Sequence, residues 1–100
     1  MNKSNGSVFR VIKNKNYTVM SNYHLSDTRI SLKAVGLLSK MLSLPETWNY
    51  SITGLIAICK ENETAIRNTL NELKEYGYLQ INKKKNAKGQ FEYEWKVRSL

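Results

Sequence analysis

The sequence predicts a small α+β domain: three helices with a β-hairpin after them and short extra strands in front. Three observations carry this. Apolar residues recur at helical spacing between Ser31 and Tyr76. Just past Gly77 the period changes from 3.6 to 2. Basic charge gathers on the two flanks of the chain and not on its middle.

In chain order, residues 8–13 (VFRVIK) and 17–20 (YTVM) are β-prone runs around Asn14-Lys15-Asn16, and they predict two short strands. Residues 1–16 are set apart as an N-terminal arm or strand suited to self-association, and residues 17–100 as the main domain. Residues 21–30 hold turn formers without a usable period. Ser31 caps a first helix over 31–43, where Val35, Leu38 and Leu42 share one face and Ala34, Leu37, Met41 and Leu44 widen it. Pro45 disfavours helical geometry at Leu44 and ends it, and Trp48-Asn49-Tyr50 forms a short extended link. Ser51 caps a second helix over 51–60, with Ile52, Leu55, Ile56 and Cys59 in its stripe. Glu61-Asn62 is a two-residue break, the spacing of a helix-turn-helix. Asn62 caps a third helix over 63–76, whose buried stripe is Ile66, Leu70 and Leu73, and Gly77 ends it in the left-handed conformation.

Beyond Gly77, Leu79 and Ile81 point one way and Tyr78, Gln80 and Asn82 the other. On the return, Phe91, Tyr93, Trp95 and Val97 are expected to face the core, with Glu92, Glu94, Lys96 and Arg98 towards water. Gly89 lets the chain turn between the two runs. Helix, short strand, helix, turn, helix, strand, loop, strand is the order of a winged helix-turn-helix, in which the last hairpin is the wing.

One hundred residues make one domain, and 41% hydrophobic residues suffice for one modest core. No apolar run is long enough to span a bilayer. The opening MNKSNGSVFRVIKNKN lacks the apolar core of a secretory signal. Cys59 and His24 are the sole cysteine and histidine, so neither an internal disulfide nor a His/Cys metal cluster is expected. The expectation is a cytoplasmic protein with no metal or cofactor.

The net charge is +8, of which residues 1–30 carry +4, residues 31–77 none and residues 78–100 the other +4. A basic stripe of this kind suits a polyanion such as nucleic acid. Lysine outnumbers arginine twelve to four and asparagine occurs eleven times, a bias that genome base composition also produces. Composition alone leaves DNA binding and simple solubility level.

No enzyme signature is present: His24 has no catalytic partner, and the dispersed glycines make no phosphate loop. Glu63, Glu72 and Glu75 read as a solvated face, and Cys59, Trp48 and Trp95 as core. The binding residues lie on the third helix and the wing. With Ile66, Leu70 and Leu73 buried, the opposite face presents Thr64, Arg67, Asn68 and Asn71, with Lys74 further along. Arg and Asn are the side chains that pair two-pronged with guanine and adenine edges in the major groove. Lys83, Lys84, Lys85 and Lys88 are expected on a flexible tip, neutralising phosphates and supplying affinity without sequence choice. Helix 63–76 would read double-stranded DNA and the wing 82–90 would clamp it. Polar residues also cover any surface helix and lysine also protects edge strands, so a winged-helix protein-interaction module stands as the alternative.

The stretch from Leu25 to Val97 resembles the N-terminal winged-helix domain of replication initiators and replisome organisers of phages and plasmids. The features that carry it are Leu32-Lys33-Ala34 with Gly36-Leu37-Leu38, then Ser43-Leu44-Pro45 with Trp48. They continue with Ile66-Arg67 before Leu70, Glu72-Leu73, Gly77-Tyr78-Leu79 and Lys88-Gly89-Gln90-Phe91. The resemblance covers roughly residues 17–97 and extends more distantly to DnaD-type primosome proteins, whose N-terminal domains self-associate. It implies a role in replication initiation, homo-oligomer formation through the N-terminal strands, and other replication proteins as partners. A transcriptional regulator of the same fold would use the same residues.

Overall fold

The computed structural model describes residues 16–100. Three helices, α1 (Leu32–Leu42), α2 (Ile52–Ala57) and α3 (Glu63–Glu75), are followed by two antiparallel strands, β1 (Leu79–Lys85) and β2 (Phe91–Val97). A 3₁₀ turn, His24–Ser26, precedes α1. The architecture is mixed α+β, with the hairpin after the helices as the period change requires.

Each of α1, α2 and α3 begins where a side chain caps it. Ser31 Oγ accepts the Ala34 N–H, Ser51 Oγ the Gly54 N–H and Asn62 Oδ1 the Ala65 N–H, each at 2.9–3.1 Å. Each bond satisfies one of the donors that a first helical turn leaves open. At the far end of α3, Gly77 sits at φ +83°. The Gly77 N–H reaches Lys74 O at 3.2 Å and the Tyr78 N–H reaches Leu73 O at 2.9 Å. That pair of bonds is the Schellman arrangement, and it turns the residue after the glycine back onto the helix.

Tyr78 is accordingly fully buried and does not point away with Gln80 as expected. Its ring lies 6.3 Å from those of Tyr23 and His24, and its hydroxyl donates to Asp27 at 2.7 Å. Burial, together with the Asp27 bond, pushes its pKa up to about 12. The Arg29 guanidinium on the same carboxylate, at 2.8 Å, and the Tyr78 hydroxyl hold Asp27 far below the usual carboxylate range. The core joins Ala34, Leu37, Leu38 and Met41 of α1 to Leu55 of α2, Ile66, Leu70 and Leu73 of α3, and Leu79 of β1. Val35 and Leu42 pack half-buried against it, and Leu44, though also half-buried, is not part of that margin.

Several expectations are corrected. The second helix stops at Ala57, so the break before α3 spans residues 58–62 and not two residues. Its last turn tightens: the Ile58 N–H bonds Leu55 O at 3.1 Å, and the Lys40 ammonium takes the Ile58 carbonyl that a continuing helix would use. Cys59 thus sits in the turn, half-buried against the core. Among the described residues, residues 48–50 pair with no strand. Instead Tyr50 stacks on Trp95 of β2 (5.7 Å, 13°) and meets Trp48 edge-on at 5.1 Å, while its hydroxyl donates to Met41 O at 2.6 Å. Aromatic contact does the joining that a short strand was expected to do. Glu72 is no solvated carboxylate: it accepts the Ser31 N–H and hydroxyl at 2.6 and 2.7 Å, tying α3 to the start of α1.

Of the N-terminal strands, residues 8–13 lie outside the described residues. Residues 17–20 form no strand, and Val19 is 86% exposed, so the run lacks the half-buried face that β propensity depends on.

Candidate nucleic-acid interface

The apolar stripe of α3 faces inwards, with Ile66, Leu70 and Leu73 buried beside Thr69. Thr64, Arg67, Asn68, Asn71 and Lys74 are all exposed, on the opposite side. Their spacings of three, four and seven residues keep them on one face of the helix. Arg67 is bonded within its own helix, its Nε donating to Glu63 at 2.6 Å. Glu followed by Arg four residues on is the sequence signal for that pair.

The hairpin is built differently from expectation. Strand pairing sets Leu79 opposite Val97, Ile81 opposite Trp95, Lys83 opposite Tyr93 and Lys85 opposite Phe91. Paired residues share a face, so this inner face runs from apolar at its base to basic and aromatic further out. Trp95 and Val97 are half-buried on the helices, but Phe91 and Tyr93 are 59% and 64% exposed and do not join the core. A seven-residue strand reaches about 23 Å, and its outer half overhangs the three helices. Lys83 lies over the Phe91 ring at 4.1 Å and Lys85 at 5.5 Å.

The other face carries Gln80, Asn82, Lys84, Glu92, Glu94 and Lys96, and there Lys84 meets Glu94 at 3.6 Å. Only Lys88 of the four expected tip lysines occupies the turn; Lys83, Lys84 and Lys85 belong to β1. The turn itself is tied down. Asn86 Oδ1 accepts the Lys88 and Gln90 N–H groups at 2.9 and 3.0 Å, and Gly89 takes φ +77°.

These pieces meet in one cleft. Arg67 and Lys74 of α3, Tyr50, Ser51 and Ile52 before and within α2, and Ile81, Tyr93 and Trp95 of the hairpin enclose about 430 Å³. Gly54 lets the Trp48 ring pack closely on α2, since a Cβ there would come within 3.1 Å of that ring. Both hairpin carboxylates, Glu92 and Glu94, fall on the far face, and Glu63 is bonded to the cleft's Arg67. The sequence separates Arg67 from Tyr93 by a strand and a turn, and only the register brings them to one opening.

Comparison of the chain with protein-family models, with curated proteins and with solved structures finds no match. Among the described residues no helix is long and apolar enough to cross a membrane.

Proposed function

We propose that this chain is a winged helix-turn-helix domain that binds double-stranded DNA. The N-terminal half of α3 enters the major groove, and the hairpin serves as a wing against the neighbouring phosphates. The observation that carries this reading is the shared opening. Arg67 and Lys74 of the exposed α3 face and Ile81, Tyr93 and Trp95 of the hairpin's inner face border one cleft, with Lys83 and Lys85 further out on that inner face and Glu92 and Glu94 on the other.

Thr64, Arg67, Asn68 and Asn71 face base edges, and Lys74, Lys83, Lys85 and Lys88 face phosphates. Lys84, held by Glu94 on the outer face, contributes less. The Arg67–Glu63 pair does not oppose this. An exposed ion pair contributes about 0–1 kcal/mol, whereas a two-pronged arginine–guanine contact discriminates by about 1–3 kcal/mol. Releasing Glu63 is the smaller effect.

The resemblance to phage and plasmid replication initiators favours a role in starting replication over transcriptional control, with other replication proteins and a second copy of the chain as further partners. Selection of binding sites from a random duplex pool tests the reading of sequence. Recovery of a preferred site is expected, and a palindromic one would mark a dimer. Failure to retain duplex above background at low salt would remove the proposal.

A further inference from the structure

We propose that the outer half of the hairpin's inner face binds an unpaired stretch of DNA, stacking a base on Tyr93. This goes beyond duplex recognition, because its ligand is a base with an open π-face. Tyr93 is 64% exposed and Phe91 59%, on a strand whose other aromatic, Trp95, is half-buried against Tyr50. Large rings left in water on a single face lack the burial that accounts for Trp95. Each stands beside cations: Lys83 is paired with Tyr93 in the register, and Lys83 and Lys85 both lie over the Phe91 ring.

Aromatic platforms flanked by lysine and arginine are how proteins hold single strands without reading their sequence. The rings take the bases and the cations take the phosphates between them. Charge complementarity selects a polyanion over an apolar peptide. Lys83 and Lys85 share this face, Lys74 and Arg67 line the cleft that Tyr93 enters, and Glu92 and Glu94 are on the reverse side. Glu63 is bonded to Arg67, and the exposed Glu75 follows Lys74 along α3. The cleft opens onto the α3 face proposed to take duplex DNA, so the choice of DNA over RNA rests on that reading. The stacking site does not. A strand leaving the duplex beside α3 would run directly along the hairpin.

Fluorescence anisotropy of the full chain with a labelled oligo-thymidine strand, and separately with a labelled random duplex, tests the site. The variants are Tyr93→Ala, Phe91→Ala and Tyr93→Phe. Both rings are exposed, and unchanged circular dichroism and melting would verify that the fold survives. The wild type is expected to bind the single strand at low salt. Tyr93→Ala should weaken that binding about tenfold, Phe91→Ala by less, and Tyr93→Phe should restore it, while any loss on duplex should be clearly smaller than the loss on the single strand. Absence of single-strand binding by the wild type, or an unchanged affinity in Tyr93→Ala, would overturn the proposal. Equal losses on single strand and duplex would also overturn it, by making the ring a duplex contact. Preference for an oligo-uridine strand would contradict the assignment to DNA. A chain that binds single strands but no duplex would refute the duplex reading and leave the stacking site standing.

Discussion

His24 is fully buried, and one ring nitrogen, Nε2, shares a hydrogen bond with Ser39 Oγ at 2.9 Å. The other, Nδ1, has no hydrogen-bond partner among the described residues. Burial disfavours the imidazolium and lowers the pKa below its ordinary 6.5. The unfolded chain therefore takes up a proton on His24 that the folded chain resists, so this contribution to stability is present above pH 6.5 and is lost as the pH falls. Denaturant titrations from about pH 7 down to about pH 5 should show falling stability, and His24→Gln should flatten that segment. An unflattened profile would assign the loss elsewhere. Asp27, depressed by Arg29 and Tyr78, acts in a lower window, below its ordinary 3.8. Leu70, 2% exposed at the centre of α3's stripe, should cost about 2–5 kcal/mol when changed to Ala. Urea unfolding measures this, and a loss under about 0.5 kcal/mol would contradict its place in the core. Leu70 was legible because its neighbours repeat at helical spacing. His24 was not, because a lone polar residue among turn formers carries no period, and its partner Ser39 is fifteen residues away.

The helix starts were readable because capping is local: Ser31, Ser51 and Asn62 each bond a backbone group three residues on. Asn62→Ala should cost about 1 kcal/mol. Gly77 holds φ +83°, where a side chain costs about 1–2 kcal/mol, so Gly77→Ala should destabilise by that much although nothing stands within 4 Å of the added Cβ. Both follow from thermal or urea melts, and a neutral Gly77→Ala would contradict the left-handed turn. The end of α2 was not readable, since it depends on Lys40 arriving from α1. Nor was the exposure of the hairpin's outer half. Alternation assigns a face to Phe91 and Tyr93, but only the reach of the helices decides whether that face is covered.

Across the whole molecule, the charge asymmetry of the sequence takes on a direction. The basic end of the chain becomes a hairpin whose carboxylates face one way and whose Lys83 and Lys85 face the α3 side. The candidate residues on α3 were assignable from periodicity, while the division of the lysines between two faces needed the strand register. On the proposed reading, Arg67→Ala should weaken binding to a preferred site by about 1–3 kcal/mol and flatten discrimination there, as competition against random duplex would reveal. Asn71, one turn further on, should behave alike.

The most direct measurement of duplex binding is a pair of salt titrations on random duplex DNA, wild type against a Lys83→Ala/Lys85→Ala double variant. The wild-type affinity should fall steeply with salt, and the variant's slope should be shallower by about 0.9 for each phosphate that the removed lysines had neutralised. Identical slopes would show that the hairpin lysines never reach the backbone, and no binding by the wild type even at low salt would contradict the DNA-binding account and favour a protein-interaction module.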